Sequence, residues 1–228
     1  EPEQLQLGFL KLLKGTGLRR DADKYGIVYA DEAPYEVLYT KDISFDGLLR
    51  LKGIEEMVET FYNSGKAKNT IRYMVEKNGR AFSFFETLAL WWEKNGYDEI
   101  SHSKMDLYGR LFDFFTEQAG FREHLGHIRE LLRFDIFLGD NMKNIPQSIE
   151  RDQSEEERKW EREFYENPEN IEKYLPELVG YTPRQILRMC RIEFFDIDPI
   201  TGEDKKTAVL FDYYGRDGLL NKAKSAVV

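Results

Sequence analysis

Residues 103–138 read SKMDLYGRLFDFFTEQAGFREHLGHIRELLRFDIFL, and this stretch decides the fold class. Met105, Leu107, Tyr108, Leu111, Phe112, Phe114 and Phe115 recur at the spacing of an amphipathic helix that opens at Ser101 or Ser103 and breaks at Gly120. From Phe121 to Leu138 a second helix places Leu125, Ile128, Leu132 and Asp135 on one stripe. Helices joined by so short a break pack antiparallel, as in a bundle.

The same pattern extends upstream. Leu48, Leu51, Met57, Val58 and Phe61 mark a helix from Ser44 to the stop at Asn63-Ser64-Gly65. Another covers Asn69 to Glu76 and ends at Asn78-Gly79. A third starts near Ser83, whose hydroxyl fits a capping box with Glu86, and runs through Trp91 and Trp92 to Gly96. Gly139-Asp140 closes the series, so residues 44–145 are expected to form a helical bundle.

Downstream, residues 146–181 read as a charged helical connector. Its run Glu155-Glu156-Glu157-Arg158-Lys159 suits a solvated helix capped by Ser154 and held loosely by Trp160, Phe164 and Tyr165. Residues 182–228 begin with Thr182 as an N-cap and Pro183 at the first helical position. Ile192 to Ile197 and Thr207 to Tyr214 are rich in aromatic and β-branched residues around the turn formers Asp198 to Asp204, which predicts a β-hairpin. An isolated hairpin is marginal in water, so it must lean on the helices or pair with a strand such as Tyr35 to Thr40. The fold class expected is therefore mainly α, a helical bundle with a small β element.

Residues 1–43 look mixed. Leu5 to Leu10 reads as a strand, Leu18 to Tyr25 as a short helix ended by Gly26, and Ile27 to Tyr29 and Tyr35 to Thr40 as extended. A strand ahead of so many helices needs a partner or a cover. With neither an initiator Met nor a leader-like segment at Glu1, the chain is expected to be the tail of a larger protein. The strand is expected to pair with residues 35–40 or the terminal hairpin, or to extend the first helix.

Composition narrows the function classes. The 42 acidic against 33 basic residues give a net charge of -9, which argues against a general phosphate-binding surface and hence against nucleic acid. The longest apolar patch, Leu88 to Trp92, is cut by Glu93 and Lys94 and is far too short to span a membrane, so the cytoplasm is the expected location. The single cysteine, Cys190, permits no intramolecular disulfide and no cysteine-ligated cluster or zinc site, and it reads as a small buried hydrophobe.

A few residues are candidates for chemistry. His124 and His127 lie three apart on a helix, within reach of one metal ion that Glu123 and Glu130 would complete, although such spacing also arises by chance. Asp135 falls on an apolar stripe, where its carboxylate requires a Tyr, His, Arg or backbone N–H partner unless it is a perturbed group in a pocket. Arg19 and Arg20 follow Gly15-Thr16-Gly17 and could hold an anion, yet the spacing is neither a phosphate loop nor a dinucleotide fingerprint. No G-x-S-x-G elbow occurs. Trp91, Trp92, Phe114 and Phe115 either line a groove for a partner helix or form core. A small metal-dependent hydrolase would have to use His102, His124, His127 and Asp135.

The run Leu5 to Leu18, LQLGFLKLLKGTGL, followed by Lys24-Tyr25-Gly26, resembles the end of the catalytic barrel in cobalamin-binding radical S-adenosylmethionine proteins. In that family a strand leads into a G-T-P-L turn and a helix ending in Y-G or L-G; Gly17 stands here where Pro is common. Pro34 to Leu38, Leu49 to Glu59 and Tyr62 to Gly65 are similar to an uncharacterised C-terminal domain on one bacterial group of these proteins. The resemblance implies an upstream cobalamin-binding domain and a barrel whose C-x-x-x-C-x-x-C loop holds a [4Fe-4S] cluster. S-adenosylmethionine and cobalamin would then be cofactors of the full-length protein. It further implies that this chain is a non-catalytic accessory domain whose partners are that barrel and cobalamin domain, covering or shaping a site for a protein or small-molecule substrate. No catalytic, cofactor or metal residue carries over to this chain.

Overall fold

Residues 4–10 carry no regular structure in a computed structural model that describes residues 2, 4–217 and 222–228. The strand expected over Leu5 to Leu10 does not form; at its start the Leu5 backbone is bonded by a side chain, Asn63, whose Oδ1 accepts from the Leu5 N–H and whose Nδ2 donates to the Leu5 carbonyl, both at 2.9 Å. The expected pairing with residues 35–40 appears only at the far end of this run. There the Val37 N–H donates to the Leu10 carbonyl at 3.0 Å, the Leu12 N–H donates to that of Tyr35 at 2.9 Å, and Lys11 bridges Glu36.

Thr16 then opens a helical pair, α1 (Gly17–Arg20) and α2 (Ala22–Tyr25), which break at Asp21 where the sequence suggests one helix. Gly26 ends α2 at φ 64°, a left-handed conformation that glycine adopts at no steric cost. The strands β1 (Val28–Tyr29) and β2 (Val37–Tyr39) form a small antiparallel sheet. Ser44 caps α3 (Phe45–Met57), which passes into a π-helical turn over Val58–Asn63. After α4 (Lys68–Asn78) comes α5 (Ala81–Lys94), which starts three residues earlier than the Ser83 capping box requires. Ser83 lies inside the helix with its carbonyl accepting from Thr87 Oγ1 at 2.8 Å, and Glu86 is drawn to Arg50 at 2.5 Å.

The chain divides into two units, residues 1–63 with 75–101 and residues 64–74 with 102–228. The first unit builds its core where α3 and its π-helical extension meet α5. Ile54, Met57, Phe61, Phe84, Leu88 and Trp92 are buried there, with Phe61 edge-on to Trp92 at 5.6 Å.

In the second unit α6 (Lys104–Glu117) starts at Ser103, not Ser101, because Asp106 returns the cap. A 3₁₀ turn over Ala119–His124 replaces the beginning of the helix expected from Phe121, and α7 (Leu125–Gly139) follows. The remaining helices are α8 (Glu155–Glu166), α9 (Pro168–Tyr174) and α10 (Pro183–Met189); Ser154 and Thr182 both form capping boxes. The predicted hairpin is present as β3 (Cys190–Phe195) and β4 (Thr207–Asp217), with Ile192 opposite Leu210 and Phe194 opposite Ala208. A third strand that the residue pattern did not suggest, β5 (Lys222–Val227), pairs with the other edge of β4.

Phe134 and Phe137 of α7 meet Phe211 of β4 at 5.7 and 6.0 Å. A second cluster unites Phe164, Tyr165, Ile171, Leu178 and Ile186 with Ile192 and Leu210. Two buried aromatics, Phe164 and Tyr165, thus anchor α8, which is held more firmly than its charge pattern implies. The architecture is mainly α with a small antiparallel sheet, as the patterning predicts. Among the described residues no helix is long and apolar enough to cross a membrane.

Candidate functional site

The inward face of α7 carries charge. Glu130, Arg133 and Asp135 are all buried; the first two engage each other and the end of β3, and Asp135 engages the start of α4. Arg133 reaches Glu130 Oε2 at 3.0 Å and Glu193 Oε2 at 2.8 Å, and it donates to the Phe194 carbonyl at 3.1 Å. Glu130 Oε2 also accepts from the Asp196 N–H at 3.1 Å. The α7 side chains therefore occupy hydrogen-bonding groups along the outer edge of the sheet at β3, which would otherwise invite another strand. The bonding is incomplete: Glu130 Oε1, 3.7 Å from Arg129 Nε, and Arg133 Nε are buried without a hydrogen-bond partner, which makes the cluster costly to keep dry.

Arg191 extends the cluster outward. Its Nε meets Glu193 Oε1 at 2.5 Å, Nη1 donates to the Met142 carbonyl at 2.8 Å, and the guanidinium lies 4.2 Å from the Phe137 ring centre. Beside it opens a polar cleft of about 330 Å³, bounded by Arg133, Arg191, Glu193, Glu161 and the irregular residues 140–154. Irregular connections of that length are uncommon in folded domains unless they serve a function. Arg151 fixes this one by a two-pronged pair with Glu157, at 3.0 and 2.8 Å. Burial pushes the Glu161 carboxyl above its ordinary value, partly opposed by a hydrogen bond from Gln153. Among the described residues that line this mixed-charge cleft there is no Ser, Thr, Cys or His.

Asp135 is satisfied by four donors from two neighbouring residues, two of them side chains of types that the sequence does not suggest, Asn and Thr. Its Oδ1 accepts from the Asn69 N–H at 3.2 Å and Asn69 Nδ2 at 2.8 Å; its Oδ2 accepts from the Thr70 N–H at 2.9 Å and Thr70 Oγ1 at 2.8 Å. These are the first-turn donors of α4, so Asp135 caps a helix remote in sequence. Burial outweighs the four bonds and pushes the carboxyl upward.

His124 and His127 come together around Tyr73. His124 Nδ1 is 3.1 Å from the Tyr73 hydroxyl, whereas the His127 ring stacks on Tyr73 at 5.5 Å. Their Nε2 atoms face different acids, Glu123 at 3.5 Å and Asp204 at 3.2 Å, while Glu130 is committed to Arg133. His102 lies apart, 3.5 Å from Arg110. Among the described residues no three His, Cys, Asp or Glu side chains are grouped to hold a metal ion.

Trp91, Trp92, Phe114 and Phe115 are buried, the first two in one unit and the last two in the other, so they are core residues. Arg19 lies over Tyr29 and Tyr35, 4.8 and 5.0 Å from the ring centres, and donates to the Leu12 carbonyl. Arg20 pairs with Asp21. Neither arginine is held ready for an anion by a longer helix.

The first unit presents apolar surface instead. Leu12 is fully buried, yet Leu5, Leu10 and Leu13 around it are 44, 48 and 53% exposed. A second apolar feature is a cleft of about 630 Å³ between α3 and α5, lined by Leu49, Gly53, Met57, Ala89, Leu90 and Trp92.

A protein-family model described as "Protein of unknown function (DUF4080)" matches residues 23–211. No curated protein and no solved structure matches the chain.

Proposed function

The chain belongs to the DUF4080 family of proteins of unknown function, and from that premise we propose that it is a non-catalytic accessory domain of a cobalamin-dependent radical S-adenosylmethionine enzyme. In this reading the first unit seats against the catalytic barrel of the same polypeptide and covers or shapes its substrate site. One observation carries it: the segment whose sequence resembles the end of such a barrel holds Leu12 inward and leaves Leu5, Leu10 and Leu13 about half exposed. Exposed apolar side chains along one segment gain from being covered by a partner surface.

The cofactors of such an enzyme would be held by the rest of the polypeptide. Cys190 is buried, its thiol faces Asp212 Oδ1 at 3.8 Å, and burial lifts its pKa to about 12. A thiol so far from ionising is a poor fit to a cluster ligand, which must be a thiolate. The buried ion pairs of the second unit act as structure in this reading, and the enzyme works in the reducing cytoplasm.

The deciding experiment compares reductive cleavage of S-adenosylmethionine by the full-length protein with and without residues 44–228. The expected result is a retained iron content with substrate turnover lost or uncoupled from cleavage. Turnover indifferent to the deletion, or a coding sequence ahead of Glu1 with no C-x-x-x-C-x-x-C loop, would sink the reading.

A further inference from the structure

The cleft between α3 and α5 has the form of a seat for a third helix. On α3, Phe45, Leu49 and Gly53 follow one another at four-residue intervals, so they share a face. Leu49 is 49% exposed, and Leu90 on α5 faces the same cleft with 50% of its surface open. At the floor the two helices come close enough that a Cβ on Gly53 would lie 3.5 Å from that of Ala89. From Phe45 to Met57 the stripe spans twelve residue steps, about 18 Å at the helical rise, which matches some three turns of an incoming helix.

The charges at the rim select the partner. Arg50 and Lys52 line the cleft but are neutralised by Glu86 and Glu36. Asp46, Glu93 and Asp98 also line it, are exposed, and make no ion pair among the described residues. The result is an apolar floor inside an acidic rim. We infer that this cleft binds an amphipathic helix of another polypeptide segment, with leucine-type residues on its buried face and Lys or Arg along its flanks. The inference is independent of the radical-enzyme reading, because it rests only on the shape and charge of the first unit.

The probe is a fluorescein-labelled synthetic helix of sixteen residues with a leucine face and lysine flanks. Its counterpart keeps the leucines and carries glutamate flanks. Titrated against the whole 228-residue chain, the lysine peptide should bind at least about tenfold more tightly, a difference that shrinks with added salt. Backbone amide shifts should be confined to α3 and α5 around Leu49, Gly53 and Leu90. Leu90→Glu should weaken binding at least about tenfold. The pair Glu93→Gln and Asp98→Asn alters only exposed groups and should narrow the preference between the two peptides. Equal affinity for the two peptides, shifts scattered over the surface, or indifference to Leu90→Glu would overturn the inference.

Discussion

Thr70 gives Asp135 two hydrogen bonds, from its backbone N–H at 2.9 Å and its hydroxyl at 2.8 Å, while Asn69 supplies two more. One side chain on α7 thereby does for α4 what an N-cap residue does locally. Asp135→Ala strands buried donors and opens a small void, so it is expected to cost about 2–4 kcal/mol in urea unfolding. A loss below about 0.5 kcal/mol would show that water replaces the carboxyl without penalty.

The same residue has a signed pH effect. Because burial raises its folded-state pKa, its contribution is fully present below the ordinary aspartate value and is lost as pH rises through the raised one. Stability curves of the wild type and Asp135→Asn should therefore draw apart at the wild type's expense as pH climbs from about 4 toward neutrality. Parallel curves over that window would exclude the shift.

Arg133 holds two buried carboxylates, and removing it leaves Glu193 to Arg191 alone and Glu130 to the Asp196 N–H and the more distant Arg129. Arg133→Met is expected to destabilise by about 3–5 kcal/mol, and adding Glu130→Gln with Glu193→Gln to recover part of the loss. Thermal melts of the four proteins in this cycle provide the check. Additive losses would mean that the three side chains do not act as one cluster.

Helix caps offer a sharper contrast. Ser103→Ala and Ser154→Ala each remove one half of a reciprocal cap and should cost about 1 kcal/mol. Ser83→Ala lies inside α5 and should stay within about 0.5 kcal/mol of wild type. Equal penalties at Ser83 and Ser154 would place the start of α5 wrongly.

Cys190 is expected to resist alkylation. With its thiol at about 12 and buried, iodoacetamide at pH 8 should label the native chain only as fast as it opens, and the urea-unfolded chain promptly. Rapid native labelling, read by mass spectrometry, would contradict this burial.

What could be read from the sequence was local. Ser154 and Thr182 announce their helices by caps, and the aromatic runs around Phe194 and Phe211 announce strands, because each signal lies within a few residues of its effect. What could not be read depends on distant groups. Asn63, 58 positions away, takes up both backbone groups of Leu5, where the apolar run favours a strand ladder. Lys222 to Val227 pairs with β4 although Val227 is its one β-branched residue among lysine, alanine and serine, because β4 offers it a ready edge. The ion cluster joins Arg133 to Glu193 across sixty positions. Its one visible trace was that Glu130 and Arg133 share an apolar helix with Asp135. Reading only Asp135 as anomalous missed the other two.

The division of the chain into interleaved units has a consequence for synthesis on the ribosome. Residues 64–74 belong with sequence beginning at His102, so the chain leaves the first unit, returns to it at Val75 and leaves it again after Ser101. The first unit lacks its closing segment until Ser101 has emerged, and the start of α4 waits until Asp135 has been made. Nascent chains released between these two points should therefore hold a complete first unit and an uncapped α4, an order of assembly fixed by the route of the chain.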